Sequence, residues 1–204
     1  EKPYLSCEYA HAMGNSLGAL GKYIELTERE PLYQGGFIWD FVDQAFWKKD
    51  RYGKLFLASG GDWDDYPTDY NFCVNGLIGA DRTLTPKMQE LKFQYAPFKI
   101  RVDKTYVEIT NRSLFLKSGD FDCFVSLEKE GMLLLSDELE TNVKPGQTET
   151  YPIEIPSWLV AGEYVITVSM RLKKAAIWAE RGFEIAFGQT SVRVGDPALP
   201  FAPD

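Results

Sequence analysis

The stretch that decides the fold of the first half is residues 3–42, PYLSCEYAHAMGNSLGALGKYIELTEREPLYQGGFIWDFV. Residues 3–7 form a short run without charges that predicts a buried strand, and Ser16–Glu30 carries apolar residues at helical spacing. Tyr33–Val42 then predicts a second strand. A strand, a helix and a strand joined by short connections predict a parallel βαβ unit, because parallel neighbours need a crossover between them.

Beyond this unit the pattern changes twice. Residues 44–81 are rich in Gly and Asp and predict a long excursion, and Pro86–Tyr95 predicts another helix. From Phe98 onward, about seven short β-rich runs are separated by turn signals, which is the strand number of an immunoglobulin-like sandwich. The predicted fold class is therefore α/β followed by all-β. The predicted boundaries are a first domain at 1–97, a sandwich at 98–194 and a Pro-rich linker at 195–204.

Within the predicted sandwich, the last run is Ala176–Ala186, and we expect Trp158 and Phe124 in its core because large aromatic side chains dominate such cores. The three cysteines of the chain are widely spaced and show no zinc or disulfide pattern. They predict reduced, buried thiols and leave the cellular compartment open.

Composition excludes two classes of partner. The formal net charge is −8, whereas a protein that binds a phosphate backbone needs a basic face, so we expect no nucleic acid partner. No stretch approaches the roughly 20 apolar residues of a membrane span, so we expect no membrane partner. The chain opens without an initiator Met or a signal peptide, and we expect it to be a piece of a longer protein.

Chemistry-bearing residues collect where the two predicted strands end. Glu8 and His11, the single histidine of the chain, follow the first strand, and Trp39 closes the second. Carboxyl ends of parallel barrel strands are where catalytic groups sit, and an indole ring is a platform for the apolar face of a sugar. A strand-end Glu that simply faces solvent and a structural histidine are the alternative interpretations.

The excursion adds carboxylates interleaved with aromatic residues, including Asp69 near its end. Such a pattern suits sugar hydroxyls, and a solvated acidic loop is the alternative. The regular ligand spacing of a calcium loop is absent.

Several motifs resemble one enzyme family in the right order. Ser6–Ser16, SCEYAHAMGNS, resembles the nucleophile signature of β-galactosidases of glycoside hydrolase family 2, and Gly35–Gln44, GGFIWDFVDQ, resembles their following barrel strand. Phe72–Leu77 and Ala80–Pro86 resemble the stretch after it. The resemblance covers about the first 95 residues and is weaker over the sandwich. It implies the C-terminal βα units of a TIM barrel followed by an immunoglobulin-like domain.

The resemblance also implies roles for individual residues. Glu8 corresponds to the catalytic nucleophile, and the substrate-binding positions are His11, Trp39 and Asp69. Phe72, through its carbonyl, and Asn75 correspond to ligands of a sodium ion beside the substrate. The acid/base residue and the ligands of a magnesium ion belong to earlier strands and have no counterpart in this chain, so we expect the chain alone to be inactive. The resemblance further implies a β-galactoside substrate and a homo-oligomeric intact protein, in a bacterial cytoplasm or periplasm.

Two other functions stay open at this point. A non-catalytic carbohydrate-binding or scaffold module fits the sandwich and the aromatic residues, although such a module needs no nucleophile signature. β-Glucuronidase and β-mannosidase specificities also occur in family 2, and part of the sugar selection belongs to residues outside this chain.

Overall fold

The first two strands lie side by side in parallel, as the sequence predicts. The computed structural model describes residues 2–195, and within these residues the chain forms eleven strands but only two α-helices. Strand β1 pairs with β2 so that Tyr4, Ser6 and Tyr9 face Tyr33, Gly36 and Ile38. The elements of the first unit are β1 Tyr4–Tyr9, α1 Leu20–Arg29, β2 Tyr33–Ile38, β3 Phe46–Lys49, β4 Leu55–Ala58, a 3₁₀ turn Tyr70–Cys73 and α2 Lys87–Gln94.

A small apolar core lies beneath the parallel pair. Its buried members come from the loop after β1, the start of α1 and the chain that precedes α2: Ala12, Leu17, Leu20 and Leu77. Partly buried Tyr9 and Ile38, at the ends of β1 and β2, pack on this cluster. The core therefore holds the carboxyl ends of both strands in place.

Helix α1 begins later than predicted. Leu17 and Ala19 have φ angles of 72° and 60°, in the left-handed region, so the helix begins at Leu20 instead of Ser16. Neither helix has a side-chain cap: Ala19 precedes α1 without a side-chain hydrogen bond, and Pro86 precedes α2, while the nearby Thr85 hydroxyl donates to the Leu77 carbonyl.

The excursion at 44–81 is more ordered than the sequence predicts, because it contains an antiparallel hairpin. Strands β3 and β4 pair from Phe46 opposite Ala58 to Lys49 opposite Leu55. The Asp50 carboxylate shapes the turn by accepting backbone N–H bonds.

The chain divides into two units between Tyr95 and Ala96, and the second unit is all-β. Its strands are β5 Phe98–Val102, β6 Tyr106–Asn111, β7 Phe121–Lys129, β8 Met132–Glu138, β9 Thr148–Pro152, β10 Gly162–Leu172 and β11 Glu184–Val194, with a 3₁₀ turn at Ser118–Asp120. They form two antiparallel sheets in the orders β11-β10-β7-β8 and β5-β6-β9. Side chains from both sheets meet in one core, with Ile109 and Val168 fully buried.

Three predictions for the second unit are wrong. The last strand is Glu184–Val194 and not Ala176–Ala186, because Gly182, at a φ of 84°, turns the chain before it. Trp158 is 63% exposed, and Phe124 is half-buried beneath the Arg171 guanidinium, 5.6 Å from its ring centre, so neither is a core residue. Of the predicted linker at 195–204, all residues after Gly195 lie outside the described part of the chain.

Candidate active site

Glu8 and Trp39 meet at one edge of the parallel pair. Glu8 lies next to the last residue of β1, and Trp39 directly follows β2. The Trp39 N–H donates to the Tyr9 carbonyl at 3.1 Å, and the Ala12 N–H donates to the Trp39 carbonyl at 2.7 Å. The prediction that Glu8 and Trp39 lie close together is confirmed, since both line a pocket of about 320 Å³.

This pocket, called here the nucleophile pocket, gathers four of the six predicted site residues. Its lining is Glu8, Tyr9, Ala10, His11, Trp39 and Phe72. The His11 and Phe72 rings stack with centroids 5.6 Å apart and planes 28° apart. Glu8 is the one carboxylate in this lining among the described residues, so the pocket offers a single acidic group for chemistry.

A second pocket of about 330 Å³ shares the Trp39 and Phe72 side chains with the nucleophile pocket. Its remaining lining is Gln44, Gly60, Thr68, Asp69, Tyr70, Cys73 and Asn75. The structure therefore places Asp69 in this second pocket and does not bring it into the nucleophile pocket beside Glu8. The base of the β3–β4 hairpin contributes Gln44 and Gly60, which the sequence did not single out.

Asn75 connects the two pockets. Its side chain is 2% exposed; the amide nitrogen Nδ2 donates to the Phe72 carbonyl at 3.0 Å and lies 3.3 Å from Nε2 of His11. The amide oxygen Oδ1 is buried and has no hydrogen-bond partner among the described residues. A buried acceptor without a donor is costly in a folded protein, and oxygen ligands of this kind suit a hard cation. The residues present thus fit the sodium site that the resemblance implies.

Backbone contacts fix the position of Asn75. Its carbonyl accepts the Asp40 N–H at 2.9 Å, and the next residue, Gly76, donates its N–H to Oδ1 of Asp43 at 2.7 Å. A Cβ at Gly76 would fall on the Asp43 amide nitrogen, so only glycine fits there. Elsewhere in the described residues, no cluster of three or more His, Cys, Asp or Glu side chains is arranged to hold a metal ion.

Tyr9 is a lining residue that the sequence analysis missed. Its hydroxyl lies 2.6 Å from the hydroxyl of Tyr95, and its ring meets Tyr23 edge-on with centroids 4.8 Å apart. Burial, reinforced by the hydrogen bond with Tyr95, raises the pKa of Tyr9 well above its ordinary value. Alternation along β1 predicts that Tyr9 and Glu8 face opposite sides, so the strand pattern gave no signal that both line one pocket.

Comparison with known proteins matches both units to parts of one kind of enzyme. Residues 1–100 match the family model described as glycosyl hydrolases family 2, TIM barrel domain, and residues 107–193 match the model described as β-galactosidase, domain 4. The chain belongs to glycoside hydrolase family 2.

Curated relatives within the family are named β-galactosidase. That of Halalkalibacterium halodurans is 47% identical over 96% of this chain and 19% of its own length. Those of Clostridium acetobutylicum and Streptococcus thermophilus are 46% and 45% identical, over 95% and 93% of this chain and 22% and 18% of their lengths. This family 2 chain thus spans about a fifth of the length of the curated relatives it matches.

No helix in the described part of this chain is long and apolar enough to cross a membrane.

Two of the three predicted buried thiols are not buried, since Cys7 is exposed and Cys73 is partly exposed, whereas Cys123 is buried.

Proposed function

We propose that this chain supplies the nucleophile, and part of the sugar and cation sites, of a retaining β-galactosidase. The observation that carries the proposal is the nucleophile pocket, in which Glu8 at the end of β1 faces His11, Trp39 and Phe72. The names of the curated relatives support galactose as the sugar.

In this proposal the Glu8 carboxylate attacks the anomeric carbon of a terminal β-galactosyl group and forms a covalent glycosyl-enzyme. A second carboxyl group about 5–5.5 Å away protonates the departing oxygen and later activates the water that releases galactose. No residue of this chain corresponds to that acid/base residue. His11 donates to or accepts from a sugar hydroxyl, and the Trp39 indole packs against the apolar face of the ring.

Asp69, which lines the second pocket, contributes a carboxylate to the substrate-binding region. The Phe72 carbonyl and Oδ1 of Asn75 would hold a sodium ion, which would supply positive charge beside the sugar hydroxyls. Magnesium in the complete enzyme is held by residues outside this chain.

The same proposal covers the architecture. The unit that ends at Tyr95 represents the C-terminal βα units of a (β/α)8 barrel, as the parallel β1–β2 pair with its helices supports. The domain at 98–194 is immunoglobulin-like, as its seven strands in two antiparallel sheets support. Assembly of the intact enzyme into a homo-oligomer is also part of this proposal.

The test is to trap the covalent intermediate in a full-length enzyme that carries this segment. A 2-deoxy-2-fluorogalactoside with a good leaving group should leave one added fluorogalactosyl mass on the peptide containing Glu8, located by digestion and mass spectrometry. Glu8→Gln should abolish both labelling and turnover of an aryl β-galactoside, by several orders of magnitude in kcat, because Gln keeps the shape and loses the nucleophile.

The matched control is Glu25→Gln, an exposed carboxylate on α1, which should label and turn over like the wild type. Labelling of another residue, or near wild-type turnover by Glu8→Gln, would show that Glu8 is not the nucleophile.

A further inference from the structure

The second unit is closed along one side and open along the other. At the closed side β11 approaches β5 so nearly that a Cβ on Gly188 would collide with the Ile100 carbonyl. At the opposite side each sheet ends in an edge strand, β8 and β9. Between those two edges runs a groove of about 200 Å³.

The wall of this groove is apolar and its rim is acidic. Leu127 and Leu135 line it from one sheet, and Ile153 and Ile155 line it from the chain after β9. The rim carries three carboxylates, Asp137, Glu138 and Glu154. None of the three forms an ion pair with a described residue, so their charge faces the groove and solvent without compensation.

Strand β8 extends the apolar surface outward. Met132, Leu133 and Leu134 are 65%, 61% and 41% exposed, and β8 pairs only with β7 among the described strands. Natural edge strands are usually protected by charge, proline or a bulge. In β8 the carboxylates lie at its end and a register irregularity lies beside Leu134, whereas its first three residues are apolar and exposed.

We propose that this edge, the β8 groove, binds an extended basic polypeptide segment that adds as a further strand to β8. Main-chain hydrogen bonds to a sheet edge give affinity to any extended segment, and side-chain pockets select the sequence. A groove of about 200 Å³ is below the range of small-molecule sites and suits one anchoring apolar side chain. Lys or Arg on either side of that anchor would meet the three rim carboxylates.

Charge also argues against a second copy of the chain as the occupant. Glu130 lies just before β8 and Glu138 ends it, so antiparallel pairing of β8 with its own copy brings acidic ends together. The nearby cation, Lys129, already lies over the Tyr164 ring at 5.2 Å. Like charges opposite one another destabilise a strand pair, whereas a basic segment is attracted.

The experiment titrates the whole 204-residue chain with the peptide Ac-KVKLKVK-NH2 by isothermal calorimetry. One peptide should bind per chain, more weakly as salt is raised. Glu154→Lys should weaken binding at least tenfold, while Glu180→Lys, an exposed carboxylate outside the groove, should bind like the wild type. A peptide N-methylated on alternate residues, which cannot donate along one edge, should lose binding.

Circular dichroism of both variants establishes that the fold is kept. Equal binding of the N-methylated peptide would overturn strand addition, and equal binding by Glu154→Lys would overturn the groove as the site. Concentration-dependent dimerisation of the free chain that the added peptide reverses would identify a second copy as the occupant and overturn the proposal. None of these outcomes bears on Glu8, so the proposal stands or falls separately from the proposed function.

Discussion

The close approach of β1 and β2 makes Gly36 a sensitive position beneath the nucleophile pocket. A Cβ at this residue would lie 2.8 Å from Cβ of Ser6, 2.9 Å from the Ser6 carbonyl oxygen and 3.1 Å from Cδ1 of Tyr9. Ordinary contacts begin near 3.4 Å, so Gly36→Ala forces the strands apart by about half an ångström along a paired, packed edge. Overpacking of this kind costs about 1–3 kcal/mol.

A cost of about 2 kcal/mol raises the unfolding equilibrium constant about 30-fold and, for a unit of this size, lowers its midpoint temperature by on the order of 10 °C. Hydrogen exchange measured by mass spectrometry localises the effect, because peptides covering β1 and β2 should exchange faster while those of β10 stay unchanged. The control is Gly18→Ala, where the added methyl meets nothing within 4 Å and φ is not left-handed. Gly18→Ala should be neutral or stabilising by up to about 1 kcal/mol. Equal stability and equal exchange in the two variants would refute the packing argument.

Three further outcomes follow from the burial and chemistry of single side chains. Burial raises the pKa of the Cys123 thiol to about 12. At pH 8 a thiol reagent should therefore modify exposed Cys7 and leave Cys123 unmodified until the chain unfolds. Rapid labelling of Cys123 in the native chain, detected by mass spectrometry, would contradict this. The pKa of Tyr9 is raised in the folded chain, so as pH rises its hydroxyl ionises first in the unfolded chain, and the free energy of unfolding should fall above about pH 10. Urea titrations should show a smaller fall for Tyr95→Phe, which removes the hydrogen-bond partner of Tyr9. The same dependence of unfolding free energy on pH in Tyr95→Phe and the wild type would count against the hydroxyl pair. The 204-residue chain alone should not release nitrophenol from an aryl β-galactoside, since Glu8 is the one carboxylate lining its pocket among the described residues; activity that survives repurification and disappears in Glu8→Gln would disprove this.

The site could be predicted from the sequence better than the packing around it, and the reason is locality. Glu8 and Trp39 each follow a short apolar run, and parallel pairing of those runs brings both residues to one edge without further information. The start of α1 had no such signal, because the left-handed φ angles of Leu17 and Ala19 are imposed by the core and not by their side chains. Tyr9 was missed because its hydroxyl bond is to Tyr95, far along the chain.

The second unit shows the limit of pattern reading more clearly. Local alternation and turn signals predict most of its strands, but the β-rich run Ala176–Ala186 is part of a strand only from Glu184 onward. The last strand is set by the pairing of Glu184–Val194 with β10. Local sequence does not show which distant segments will pair in this way. Trp158 was expected inside because it is large and apolar, yet burial is decided by which face the chain turns inward, and here it stays exposed.

The exposure of the nucleophile pocket bears on how the proposed reaction is controlled. Trp39 and Phe72 are 40% and 58% exposed, and Glu8 is open to solvent, while a small buried core packs against the ends of β1 and β2. A carboxylate in bulk water gains little from neighbouring dipoles, and a glycosyl-enzyme there would meet water before the acid/base residue could direct it. The rigid frame of β1 and β2 therefore supplies position only. In the proposed enzyme, the low-dielectric environment has to come from residues outside this chain that close over the same two aromatic rings, and the sugar itself completes the cover.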